Sequence, residues 1–162
     1  MENRAAFRFL CSLCLLLLNP SGLRANVPGT TVQWFKFRLD PSGTLSYYKH
    51  DRIYDSAVTN MLYYYFPSIA VNCASDILLG FSGSGSTNYI NAYFAWRPAF
   101  GLASPPPVQF YPGGGFFASD RWGDYSFTTV DPTDSLTFWT VQEHATTSPD
   151  AWGTRIGKVP KN

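Results

Sequence analysis

Asp120-Arg121-Trp122-Gly123-Asp124 follows the run Gly113-Gly114-Gly115 and gathers three side chains that could hold a ligand. Arg121 carries a planar guanidinium that can grip a carboxylate through two parallel hydrogen bonds. Trp122 offers a flat aromatic face on which a sugar ring can stack. Asp124 can accept hydrogen bonds from hydroxyls or bind a cation. Arg121, Trp122 and Asp124 are therefore the candidate ligand-binding residues, for a carbohydrate or a protein ligand. The same residues have a structural use: Trp122 wedged between strand units, with Asp124 and Ser126 tying the start of a strand to nearby loops.

The other reactive residue types are too dispersed to build a site. His50 and His144 stand far apart, and no His-x-x-x-His or Cys/His spacing of a zinc centre occurs. Gly83-Ser84-Gly85-Ser86 and Gly113-Gly114-Gly115 lack the Gly-Lys-Ser/Thr ending of a phosphate loop and precede no helix, so both read as flexible connections between strands. No cofactor motif is present. Asn60, Asn72, Asn88 and Asn91 all lack the Asn-x-Ser/Thr pattern of a glycan acceptor.

Those residues must be carried by strands. Aromatics make up 17% of the 162 residues, with 13 Gly and 12 Pro, while charged residues are only 14%. That balance fits an all-β chain with Ser/Thr/Asn on its surface, and it lacks the signature of disorder. A net charge of +1 gives no basic footprint for nucleic acid. The length suits one domain.

Residues 1–25 stand apart. Arg4 and Arg8 precede the apolar run Phe9 to Leu18, Asn19-Pro20-Ser21-Gly22 breaks it, and Ala25 offers a cleavage point. This is the layout of a secretory signal peptide, placing the product outside the cytoplasm as a secreted or periplasmic protein. Leu23 is an unusual residue three positions before such a cut, and an accidental apolar leader is the alternative. The run is about half the ~20 residues that span a bilayer, so no membrane span is expected. Removal of residues 1–25 would leave 162 − 25 = 137 residues, 26–162, with Cys73 as the one cysteine and no possible internal disulfide.

Within residues 26–162, Thr31–Leu39, the turn Asp40-Pro41-Ser42-Gly43 and Thr44–His50 read as a hairpin. Asp51–Leu62 reads as a connector. Ile77, Leu79 and Phe81 face one way and Leu78 and Gly80 the other, so this strand should be covered on both faces. Tyr89–Trp96 alternates, Val108–Tyr111 is a short outer strand, and Trp152–Val159 is the last strand. A phrase also recurs. Phe66 to Asn72, a turn, and Ile77 to Ser82 are answered by Asp124 to Asp131, a turn, and Leu136 to Gln142. Pairing Ser68 with Ser126 makes an offset of 58, and Val71 with Val130 makes 59. Two like strand-turn-strand units at this spacing predict a repeat in which sheets bury their faces against neighbouring sheets.

Arg121 to Ser126, Val130-Asp131-Pro132, Leu136 to Glu143 and Trp152-Gly153-Thr154 together resemble a block of bacterial secreted proteins of the sialidase-like (Asp-box type) β-propeller class. Tyr65 to Val71 with Gly80 to Gly83 is similar to the preceding blade. Asp134 to Trp139 loosely resembles an Asp-box turn but lacks its Gly and its Ser-x-Asp opening. The resemblance covers roughly residues 31–159. It implies an incomplete β-propeller of about two four-stranded antiparallel blades plus an N-terminal hairpin, since a full ring takes about 4–8 blades. It also implies a binding or assembly module able to associate with itself through an exposed blade face. The alternative is a sialidase-like hydrolase whose catalytic blades lie mostly outside this chain. Such an enzyme needs an arginine cluster, a Tyr nucleophile assisted by Glu, and an acidic proton donor. Here Arg38, Arg52, Arg97, Arg121 and Arg155 fall at no equivalent positions, and Glu143 is the only Glu besides Glu2. A third possibility, a β-sandwich carbohydrate-binding domain, predicts two facing sheets and a row of exposed Trp or Tyr.

Overall fold

The computed structural model describes residues 12–14, 29–100 and 105–160. They form ten strands in three antiparallel sheets and, among the described residues, no closed ring. The first sheet is the hairpin β2 (Val32–Leu39) and β3 (Leu45–Ile53), with the three-residue β1 (Ser12–Cys14) on the outer edge of β2. The second is a four-stranded meander of β4 (Leu62–Val71), β5 (Ile77–Gly85), β6 (Asn88–Arg97) and β7 (Val108–Tyr111). The third is β8 (Phe127–Val130), β9 (Phe138–Ala145) and β10 (Trp152–Val159). The residues read as a leader otherwise lie outside the described residues; Ser12–Cys14 pair with Trp34–Lys36. No described helix is long and apolar enough to cross a membrane.

The three sheets stack, with the second in the middle. Ile77 to Gly83 of β5 are buried without a break, as expected for a strand covered on both faces. Ile77, Leu79 and Phe81 point to the first sheet and meet Val32, Trp34 and Ile53, with Tyr64, Tyr93 and Ala95 completing the cluster. Burying a side chain of this size stabilises a fold by about 1.5–3 kcal/mol. The ring of Tyr64 stands edge-on to Phe81 and Tyr93 at 5.0 and 5.4 Å. Burial pushes its hydroxyl up to about 12, with Tyr93 and Asp55 adding to the rise.

β4 can serve this layer only because it is bulged. Tyr65 pairs with Ser82 and Ser68 with Gly80, so Phe66 and Pro67 together oppose a single residue. The extra residue inverts the alternation. Tyr64 therefore shares a face with Ile69 and Val71, which pair with Leu79 and Ile77. Phe66 takes the left-handed region, φ 50°, at a cost of about 1–3 kcal/mol.

The other face of the middle sheet is chemically different. Ser68 Oγ and Thr128 Oγ1 lie 2.7 Å apart, Thr128 Oγ1 and Thr140 Oγ1 2.9 Å, and Gln142 Nε2 donates to both Ser68 and Thr140. A Cβ at Gly80 would lie 2.2 Å from Gln142 Nε2 and from Thr140 Oγ1. Glycine is what lets the two sheets approach here. Asn72 Nδ2 closes the end of the layer on the Leu136 carbonyl at 3.0 Å, and the Cys73 amide on that of Ser135. The two recurring units thus stack in separate sheets and run the same way. Ser68 stands opposite Thr128, two residues beyond the partner chosen by aligning the repeated phrase.

Several expectations need revision. Asp51–Ile53 belong to β3 rather than to a connector, and Ile53 is a core residue. The third sheet has three strands, not the four of a full unit. Gly113-Gly114-Gly115 are close-packed: a Cβ would come within 2.3 Å of the Ile90 carbonyl at the first and 2.5 Å of the Thr146 carbonyl at the third. The β8–β9 turn does form as predicted. Asp131 accepts from the Thr133 amide and hydroxyl and from Trp139 Nε1, and Asp134 accepts from Leu136, Thr137 and the Thr137 hydroxyl.

Two outcomes are expected. Gly80→Ala should lower the free energy of unfolding by about 1–3 kcal/mol, from overpacking, in urea titrations. Hydrogen bonds from Thr133 and Trp139 hold Asp131 down to about 2, below its ordinary 3.8. Its stabilising contribution should therefore be complete above pH ~5 and fade as pH falls from ~4 towards 2. Unfolding midpoints of the parent and Asp131→Asn should converge over that interval.

Candidate functional site

The segment from Pro112 to Ser126 carries the chain from the second sheet to the third and holds all three candidate ligand-binding residues. It is tied down along its length. The Gly113 amide donates to Asn91 Oδ1, that of Gly114 to the Ala145 carbonyl, and that of Ala118 to Asp150 Oδ1. The Asp150 amide returns a bond to the Phe116 carbonyl.

The strongest anchor is Glu143. Its side chain is 2% exposed, and its two carboxylate oxygens accept from the Gly123 amide at 2.8 Å and the Tyr125 amide at 2.7 Å. A buried carboxylate is tolerated when fixed donors replace its water. Phe127 pairs with Val141, so residues 123–125 run beside the end of β9. There the Glu143 carboxylate takes the place of the backbone ladder. Gly123 is held at φ 95°, and a Cβ there would strike the Phe66 ring at 2.2 Å. No other residue type fits between that bulge and this loop.

The candidates part company on this frame. Trp122 turns inward: its Nε1 donates to Ser82 Oγ at 3.0 Å, and its ring stands edge-on to Phe117 at 4.7 Å. Arg121 and Asp124 turn outward and pair with each other at 2.5 Å, with side chains 81% and 49% exposed. The hydrogen bond and charge of Asp124 raise the guanidinium above its ordinary value. Solvent screening leaves such a surface pair little role in stability. It offers instead a cation and an anion side by side, open to a polar ligand. Beside it Tyr125 lies on Trp152 with ring centroids 4.8 Å apart and planes within 19°. These two exposed rings were not among the candidates, although the alternation of β10 puts Trp152 and Ile156 on one face.

The remaining arginines are dispersed. Arg38 lies over Tyr48, Arg155 over Tyr111, and Arg97 is buried, donating to the carbonyls of Trp96 and Pro105. Arg97 Nε lies 3.5 Å from Asp51 Oδ2, close enough for attraction but not aligned as a hydrogen bond. Burial pulls the Arg97 guanidinium down and Asp51 opposes that pull. His50 bonds to the Tyr47 hydroxyl and His144 lies against Tyr111, on different sheets. Among the described residues no three His, Cys, Asp or Glu side chains converge as metal ligands. Cys73 is free and exposed. No family model, curated protein or solved structure matches this chain.

Glu143→Gln should leave one of the two loop amides facing an NH2 group in place of an oxygen, at a cost of about 1–3 kcal/mol. Amide hydrogen exchange at Gly123 and Tyr125 should accelerate in the variant, while protection in β5 falls only by the global loss of stability.

Proposed function

We propose that the chain is a run of adjoining blades of an exported β-propeller that serves as a binding or assembly module and catalyses no reaction of its own. One observation carries this reading. The middle and third sheets stack with first strand against first strand, β4 by β8, the two recurring units run in the same direction, and β2 and β3 cover the opposite face of the middle sheet. Successive blades are related in that way. The two layers of a sandwich would instead enclose one core between two sheets. Export rests on the layout of residues 4–25.

Binding is assigned to the loop beside the third sheet. Arg121 and Asp124 supply polar recognition of a carbohydrate or protein ligand, Trp122 holds the loop in place from within, and the Tyr125–Trp152 pair adds a flat apolar shelf. Glu143, the one Glu outside residues 1–25, is committed to two backbone amides. Among the described residues the two arginine–carboxylate pairs, Arg97–Asp51 and Arg121–Asp124, lie apart and do not form the arginine cluster with proton donor that glycoside hydrolysis of this class needs.

A fluorogenic sialoside and a panel of neutral and acidic oligosaccharides and peptides test the assignment. No turnover above buffer is expected. Any ligand found in the panel should bind at least about tenfold more weakly to the Arg121→Ala/Asp124→Ala double variant. Sustained turnover that disappears in Glu143→Gln would favour the hydrolase reading instead.

A further inference from the structure

The free edges of the three sheets differ in how they are protected. β8 has four residues, β7 has four with a register shift against β6, and β2, which becomes an edge once residues 1–25 are removed, carries Lys36 and Arg38. β4 is broken by the Phe66–Pro67 bulge, and β3 by a shift that leaves Tyr48 unpaired beside Lys49. Short strands, bulges, Pro and Lys are the usual devices that keep sheet edges from pairing with other chains. β10 has no interruption, and its two cations lie over rings of the fold, Arg155 over Tyr111 and Lys158 over Trp139. It pairs with β9 residue for residue over all eight positions, Trp152 to Val159, and its outer edge meets no strand among the described residues. At its middle stands Ile156, 66% exposed, at the end of a cross-strand row, Phe127–Val141–Ile156, in which Phe127 is 63% exposed.

We propose that β10 pairs antiparallel with β10 of a second copy of this chain, with Ile156 opposite Ile156. The pairing rests on the assembly reading above and specifies its surface. Residues directly opposite in an antiparallel pair point to the same side. The row of three apolar residues then becomes a continuous row of six across a six-stranded sheet.

Charge selects the register. Centring the two-fold axis on Arg155 would set two guanidinium groups opposite each other, which is destabilising. Centring it on Gly157 would set Ile156 against Lys158. Centring it on Ile156 sets a β-branched pair face to face, puts Thr154 opposite Lys158, and puts Arg155 opposite Gly157, which has no side chain to obstruct it. An edge pairing of this kind is isologous and closes at the dimer.

Cysteine scanning with sedimentation velocity tests the proposal, with Cys11, Cys14 and Cys73 replaced by Ser in every variant. Opposed Cβ atoms lie about 4.5–5.5 Å apart, so Ile156→Cys should form a disulfide-linked dimer on mild oxidation. Thr154 is separated from its counterpart by about 13 Å, so Thr154→Cys should not cross-link. Thr154→Cys mixed with Lys158→Cys should. Ile156→Lys should weaken dimerisation by at least about tenfold, with circular dichroism unchanged. Preferential cross-linking through Thr154→Cys would overturn the register. An oligomer that survives Ile156→Lys and fails to cross-link through Ile156→Cys would overturn the edge pairing and leave the assembly reading standing. A parent chain that stays monomeric at every concentration would remove both.

Discussion

The structure depends on burying β5 on both faces against two layers of different chemistry. Towards the first sheet the strand offers Ile77, Leu79 and Phe81, and the contact is apolar and aromatic. Towards the third it offers Leu78, Gly80 and Ser82, and the contact is close and largely hydrogen-bonded. The first interface supplies transfer free energy without directional demand. The second supplies direction, because Ser68, Thr128, Thr140 and Gln142 must meet within hydrogen-bond distance for their burial to be tolerated. A slip of one residue between those sheets would separate all of these partners at once.

The connection from β7 to β8 inherits its position from that second interface. Trp122 reaches Ser82, Gly123 fits under Phe66, and Glu143 of β9 takes the two flanking amides. The loop is therefore braced by the middle sheet, the bulge and the third sheet together. Arg121 and Asp124 project from a frame already satisfied without them, so they are free to meet a ligand without loss of support. The exposed rings of Tyr125 and Trp152 lie beside the third sheet, whose strands also expose Phe127 and Ile156.

Much of this could be read from residue order. The turn residues Asp40-Pro41-Ser42-Gly43 and Asp131-Pro132-Thr133-Asp134 fixed two reversals, because their carboxylates bond to amides two to four residues on. The alternation of β6 and the two-sided apolarity of β5 gave their faces correctly. Other features were hidden. Ile53 sits in a segment with no period of its own, and only its pairing with Val32 carries it into the core. The Phe66–Pro67 bulge inverts alternation without altering composition. Glu143, at the end of a strand, reads from sequence as an exposed or loop-bonded carboxylate, and the loop-bonded reading holds. Its burial follows from the path of a loop some twenty residues earlier.

Local chemistry alone determined that the chain is all-β, where most strands lie, and that two units share one design, since side-chain period and turn bonding act over a few neighbouring residues. Tertiary structure decided which faces meet, that Trp122 turns inward while Arg121 and Asp124 turn out, and that glycine at positions 80 and 123 answers to close neighbours. These outcomes depend on atoms distant in sequence competing for the same space and the same hydrogen bonds, and no local pattern records that competition.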